Sequence, residues 1–291
     1  MVARVGLAIL GLAVLLAVAG CATSADEFEA VPDRASRRAA LASARSFLPV
    51  LSAPAEHELL ADEAVVILDP DPYTARDIAA LRHAGVLSLG YVNIGEAETW
   101  RSFYGEVDPS WILGTNPVWA GHEFVDAREE GWQSLVVDRV AGAVVRKEFD
   151  GLFLDMADVA SPGVHPETRE GVESLILRLR AAYPTHLLVM NRGLFLLDSV
   201  ETALDGLVVE GVFSRHNFET GRTQRTRPEV RDRLVEALSG FQERTGGAAL
   251  VIDYADTDAL RRYAQDGARR EGLAVFVGSV ELGKTGVSDD G

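Results

Sequence analysis

Asp150-Gly-Leu-Phe-Leu-Asp-Met-Ala-Asp158 carries an apolar run straight into two acids, and Leu207-Val-Val-Glu210 repeats the pattern. Short apolar runs suit buried strands, and an unpaired carboxylate is too costly to bury within one. The acids therefore belong at a strand mouth, in a polar network or in an active site. Two carboxylates at nearby strand ends are the equipment for splitting a glycosidic bond: one protonates the leaving oxygen, and the other attacks the sugar or activates water. Asp155 and Glu210 are the candidate pair. Leu207-Val-Val before Glu210 and Gly211-Val-Phe213 after it predict a raised pKa suited to general acid/base work. Asp158, Asn191 and Arg192 near Asp155 predict an ionised carboxylate there, a nucleophile or stabilising charge. The two roles are interchangeable on sequence grounds, and a structural ion-pair network with Arg192 or Arg215 is the competing reading of both acids.

Polar residues close the other apolar runs as well. Asp69, the Tyr91-Val-Asn93-Ile-Gly-Glu96 segment, Asp126, Asp158, Asn191-Arg192 and Tyr254 supply hydroxyl, amide and charged groups of the kind that hold a sugar. Asp69, Tyr91, Asn93, Glu96, Asp126, Asp158, Asn191, Arg192 and Tyr254 are thus candidate substrate-binding groups. Trp100, Trp111, Trp119 and Trp132 read equally as sugar platforms or as core. The six histidines lack the paired spacing of a zinc site, and no metal or other cofactor is expected. No Gly-x-Ser-x-Gly elbow supports a serine hydrolase. Gly278-Ser-Val-Glu-Leu-Gly-Lys-Thr285 matches the phosphate-loop pattern, yet only six residues follow it where a helix is required, so no nucleotide is expected.

Eight strand-like runs can position these groups: Ala64–Leu68, Val86–Val92, Glu123–Val125, Gly151–Leu154, Leu187–Met190, Leu207–Val209, Ala248–Ile252 and Leu273–Val277. Amphipathic helical segments alternate with them, including Thr74–His83, Glu130–Phe149, Pro166–Tyr183, Pro228–Arg244 and Asp256–Glu271. Eight β/α units predict an α/β fold, a single-domain (β/α)₈ TIM barrel, with its chemistry at the C-terminal ends of the strands.

Ahead of the barrel, Arg4 and an apolar stretch from Val5 to Ala19 lead to Val18-Ala-Gly-Cys21, the pattern of a lipoprotein signal. The expected layout is a signal peptide over 1–20, lipidated Cys21 with a tether over 21–46, the barrel over 47–285 and a tail over 286–291. Cys21 is the only cysteine, which excludes an intramolecular disulfide and leaves it free to carry acyl chains that bind a membrane without spanning it. Ala22, rather than Asp, follows it, and in a Gram-negative cell that favours the outer membrane. Cleavage leaves 27 basic against 44 acidic residues, a formal charge of −17. A field of that sign repels nucleic acid and favours cationic partners.

Leu68-Asp-Pro70, Tyr91-Val-Asn-Ile-Gly-Glu96, Phe124-Val-Asp-Ala-Arg128, Gly151-Leu-Phe-Leu-Asp155-Met-Ala-Asp158, Val189-Met-Asn-Arg-Gly193, Val209-Glu210 and Val251-Ile-Asp-Tyr254 follow one another in an order that resembles glycoside hydrolase family 114. The likeness spans about Phe47 to Leu282. It implies a barrel hydrolase that cleaves α-1,4-linked galactosamine polymers with two acids, matched here by Asp155 and Glu210. Asp158 matches the second acid of the family's Asp-Asn-x-Asp, with Met156 in place of the Asn. Some bacterial members bear a cysteinyl-tRNA synthetase label, but this chain lacks the His-Ile-Gly-His and Lys-Met-Ser-Lys-Ser motifs. The reading is a membrane-tethered, endo-acting glycosidase of aminosugar polysaccharide. Its alternative is a lipid-anchored glycan-binding or envelope-assembly protein on the same fold. If Cys21 is the anchor, Cys21→Ser moves the protein from the detergent-extractable membrane fraction to the aqueous fraction of expressing cells, as read by immunoblot.

Overall fold

The structure is a computed structural model that describes residues 32–52 and 54–282. The signal segment, Cys21, Lys284-Thr285 and the tail from 286 lie outside the described residues. Eight strands form one parallel sheet: β1 (Phe47–Val50), β2 (Val65–Leu68), β3 (Leu87–Asn93), β4 (Gly151–Asp155), β5 (Leu187–Asn191), β6 (Gly206–Glu210), β7 (Ala248–Tyr254) and β8 (Ala274–Gly278). They are hydrogen-bonded in that order. The edges meet where the Leu51 N–H donates to the Leu282 carbonyl at 2.7 Å and the Phe47 and Phe276 rings approach to 6.5 Å. The sheet is thus a nearly closed (β/α)₈ barrel, as the alternation of runs predicts. Among the described residues no helix is long and apolar enough to cross a membrane.

One expected barrel strand lies elsewhere. Glu123–Val125 belongs to a small antiparallel sheet, Glu96–Glu98 with His122–Val125 and Ile112–Thr115, inserted between β3 and β4. His122, Glu123 and Phe124 are only partly buried, as suits a two-layer insert and not a barrel wall. The vacant place is taken by β1, whose four residues include a proline and are too few to show a period. One strand replaces the other in the count, so Asp155 and Glu210 still close the fourth and sixth strands.

The segment expected to be a tether through residue 46, with room for helical turns, does more than tether. Arg34–Ser43 is a helix, α1, begun by Asp33, whose side chain accepts the Ser36 N–H at 2.7 Å. Leu41 of α1 is fully buried against Phe47, Val65, Leu87, Leu187, Ala248 and Ala274, the N-terminal ends of six strands. The helix therefore plugs the bottom of the barrel. Arg37 donates to the carbonyls of Asp150 and Thr185. Arg34 and Arg38 meet Arg180 on Asp205, which has no exposed surface and also accepts the Leu188 N–H. Burial alone would raise the Asp205 pKa; the hydrogen bonds and arginines hold it below the ordinary carboxylate range instead.

Side-chain alternation divides each strand between two cores. Ile67, Leu89, Phe153, Val189, Val208, Leu250 and Ile252 fill the barrel. Leu68, Val92, Leu154, Leu188, Val209 and Val251 pack under the helices. Asp155 shares the inward parity of Phe153, Asn191 that of Val189, Glu210 that of Val208 and Tyr254 that of Ile252, so all four project into the mouth. Asp205 holds the opposite end. Asp205→Ala leaves three arginines around an uncompensated buried site and is expected to cost about 3–5 kcal/mol in urea unfolding. Arg34→Ala, at the part-exposed rim of the cluster, is expected to cost less.

Candidate active site

β4, β5 and β6 deliver Asp155, Asn191 and Glu210 to neighbouring inward positions. Leu154 pairs with Met190, which sets Asn191 level with Asp155. Asn191 pairs with Val208, which sets Glu210 one inward step higher. The Asn191 amide occupies the gap. Its Nδ2 donates to Asp155 Oδ1 at 2.9 Å and to Glu210 Oε1 at 2.6 Å. Laid end to end, these bonds cap the separation of the two oxygens at about 5.5 Å. The other Glu210 oxygen accepts the Tyr254 hydroxyl at 2.5 Å. Burial, and then the Glu210 charge, raise the Tyr254 phenol well above its ordinary value, so it keeps the hydrogen that it donates.

Burial pushes the Asp155 pKa up to about 7, with the Glu210 charge as the second cause. This reverses the expectation that Asp155 would be the readily ionised acid. Chain neighbours suggested a polar setting, but the barrel wall removes Asp155 from water and sets a like charge beside it. Arg192, the proposed structural partner, pairs instead with Asp158 at 3.4 Å. Among the described residues no salt bridge reaches Asp155 or Glu210.

All three strands leave the mouth by the same turn. Met156, Arg192 and Gly211, the residues directly after Asp155, Asn191 and Glu210, have φ of 62°, 59° and 71°. The left-handed region costs a non-glycine residue roughly 1–2 kcal/mol, least for Asn or Asp. Met156 accepts that strain where the motif of the resembled family has an Asn. The sharp exits keep the three functional groups at the strand tips.

The mouth opens into a cavity of about 580 Å³ lined by Asp69, Tyr91, Asp155, Asp158, Arg192, Glu210 and Tyr254, seven of the eleven catalytic and substrate-binding candidates. An adjoining cleft of about 560 Å³ shares Asp158, Arg192, Glu210 and Tyr254, but not Asp155. Asn191 bridges the acids. Asn93, Glu96 and Asp126 are not on the cavity wall, contrary to expectation. Asn93 accepts the Gly95 and Glu96 N–H groups and donates to Tyr91, turning the chain out of the barrel into the inserted sheet. Beyond that turn, Glu96 is buried against Asn116 and His122, and Asp126 pairs with Arg128.

Glu98, Arg101 and His122 also line the cavity but were not among the candidate site residues. Arg101 joins Glu98, Asp69 and Asp71 at 2.7–2.8 Å and lies 5.7 Å over the Tyr91 ring. The tryptophans divide. Trp132 is core, its indole N–H donating to the Ile94 carbonyl, and Trp111 packs on Gly131. Trp100 and Trp119 reach the cavity. Among the described residues no group of three His, Cys, Asp or Glu is placed to hold a metal ion.

The model of glycoside hydrolase family GH114 matches residues 31–291. An uncharacterized protein of Deinococcus radiodurans is 26% identical over 236 residues, 76% of this chain and 74% of that one. Another from Thermotoga maritima is 26% identical over 203 residues, 63% of this chain and 60% of that one. The glycoside hydrolase domain of PelA from Pseudomonas aeruginosa superposes with a TM-score of 0.73 at 21% identity, covering 84% of this chain and 98% of that domain. Aspergillus fumigatus Ega3, in complex with galactosamine, gives 0.70 at 16% identity, with 83% and 93% covered. Both share the fold.

Asp253, on the outward face of β7, is a second buried acid, accepting the Phe213 and Ser214 N–H groups at 3.0 and 2.9 Å. Burial pushes it up to about 7. Asp155 and Asp253 both have folded values above the unfolded one, so the native state holds their protons more tightly. Their contribution to stability is full below about pH 4 and is lost as pH rises towards 7. The melting temperature should therefore fall from pH 4 to pH 7. Asp155→Asn should flatten part of that slope and melt above the parent at pH 7; an unchanged slope would contradict the raised value.

Proposed function

The chain belongs to glycoside hydrolase family 114, and from that premise we propose that it cleaves an aminosugar polysaccharide of the α-1,4-galactosamine type by double displacement on Asp155 and Glu210, tethered to the cell envelope through Cys21. The observation that carries this reading is the Asn191 amide bonded to both acids at the floor of an open cavity. A separation near 5–5.5 Å belongs to retaining glycosidases, whereas inverting ones need room for a water between their carboxyls.

The two spaces at the mouth support a division of labour. Asp155 lines only the first cavity and suits the nucleophile beneath the sugar being transferred. Glu210 faces both the cavity and the adjoining cleft, where the departing part of the polymer fits, and suits the general acid/base. In the first step the Asp155 carboxylate bonds to the anomeric carbon, the glycosidic C–O bond breaks and Glu210 gives its proton to the leaving oxygen. Water then attacks the same carbon, Glu210 takes the water's proton, and Asp155 leaves as carboxylate. The starting configuration is regenerated.

Asp155 holds its proton up to about pH 7, through burial first and the neighbouring Glu210 charge second. Positive charge developing at the anomeric carbon favours ionised Asp155 and sends the proton to Glu210, where the leaving oxygen needs it. Asp69, Glu98, Asp155, Asp158, Glu210 and Glu281 outnumber Arg101 and Arg192 on the cavity wall, so acid predominates there. That charge suits the ammonium groups of a galactosamine polymer, and the galactosamine in the Ega3 structure is in keeping with it.

Residues 22–291 should release reducing ends from α-1,4-galactosamine oligomers with retention of configuration, followed by proton NMR. Asp155→Asn and Glu210→Gln should each lower kcat at least about 100-fold without lowering the melting temperature. Turnover should decline as pH rises past about 7 and the Asp155 proton, which the leaving oxygen needs by way of Glu210, is lost. Inverted product would overturn the double displacement, and full activity in either variant would overturn the pair.

A further inference from the structure

Trp100, Trp119, Phe218 and His122 line the same cavity as the two acids. The tryptophans and His122 come from the inserted sheet and its loops, and Phe218 from the hairpin after β6. Trp100 is 56% exposed, Trp119 38% and Phe218 54%. Single exposed aromatics are ordinary, but these are contiguous: Trp100 meets the His122 ring at 5.0 Å, and Trp119 meets Phe218 at 5.8 Å.

The rings are held from behind by a buried acid that has no contact with the cavity. Glu96 has no exposed surface, and its partners are His122 Nδ1 at 2.8 Å and Asn116 Nδ2 at 2.6 Å. The first bond holds the ring through Nδ1, so that Nε2 is the ring nitrogen turned away from Glu96 on a residue of the cavity wall. Through the second, Glu96 also sets Trp119, because the side-chain Oδ1 of Asn116 accepts the N–H groups of Val118 at 2.8 Å and Trp119 at 3.3 Å. Trp100 rests on Gly121, where φ is +82° and an added Cβ would lie 2.8 Å from the indole. A fully buried carboxylate fixing a histidine and an aromatic turn in place is more than an exposed patch needs, and it matches a surface prepared for a ligand.

We propose that Trp100, Trp119 and Phe218, with His122 Nε2, form a distal subsite for a further sugar unit of the polymer, beyond the unit held over Asp155 and Glu210. The apolar C–H face of a pyranose packs on the indoles, and a sugar hydroxyl hydrogen-bonds with Nε2. Glu96 and Asn116 are positioning residues that act through His122 and Trp119. The proposal rests on the glycosidase reading of the cavity, and continuity of the rings with the acids selects a unit of the same chain as occupant.

Binding to a slow host isolates the subsite from turnover. Glu210→Gln is titrated calorimetrically with α-1,4-galactosamine oligomers of two to six units. Kd is expected to tighten at least tenfold at the length that reaches the platform. Adding Trp119→Ala or His122→Ala should abolish that increment while changing dimer affinity less than twofold, and Glu96→Gln should reproduce the loss with Trp119 still present. Equal weakening of dimer and hexamer, unchanged hexamer binding in all three variants, or no binding of any oligomer would overturn the subsite. If the parent binds the hexamer in this length-dependent way yet never cleaves it, the glycosidase reading fails and the subsite stands. If it cleaves and the variants bind normally, the reverse holds.

Discussion

Asn191 gives both amide hydrogens to acids on adjacent strands, and the mouth of the barrel is arranged around that pair of bonds. Asp155 is buried and has a like charge beside it, so it ionises late, and a neutral amide between the two acids gives each a hydrogen without neutralising either. The amide must be level with one acid and one inward step below the other. Parallel register supplies that offset, and left-handed exits after each residue hold it. An arginine there would neutralise the pair, and an apolar side chain would leave two acceptors without a donor.

The two ends of the barrel treat buried acid in opposite ways. At the bottom, Asp205 is surrounded by three arginines and ionises more readily than usual. At the top, Asp155 has an amide and a second acid for company and keeps its proton up to about pH 7. The first arrangement favours one fixed charge and a closed floor. The second leaves a group able to change charge during a reaction, at some cost in stability.

Much of the site was legible because it follows strand parity: acids that end apolar runs emerge inside a barrel mouth, and Asp155, Glu210 and Tyr254 all obey. Parity failed for Glu96 and Asp126 because the turn at Asn93 takes the chain off the barrel, and nothing in the local pattern separates an inserted strand such as His122–Val125 from a barrel strand. β1 was hidden by its brevity and Pro49. The α1 helix was hidden because its binding energy lies in arginines and one leucine, and not in an apolar stripe. The Asp155 pKa was unreadable from its neighbours in sequence, since its causes are the barrel wall and a residue 55 positions away. Arg101 and His122 owe their places to long-range pairs with acids that lie on other segments.

The α1 plug also decides how the molecule carries load. The first described residues enter at the floor of the barrel, on the side opposite the cavity, and are stitched there by Arg34, Arg37 and Arg38 to segments that precede β4, β5, β6 and β7. A pull on α1 is therefore divided among four strand roots before it reaches any functional group. Force on that helix loads the arginine-bonded floor of the barrel, at the end opposite the two acids.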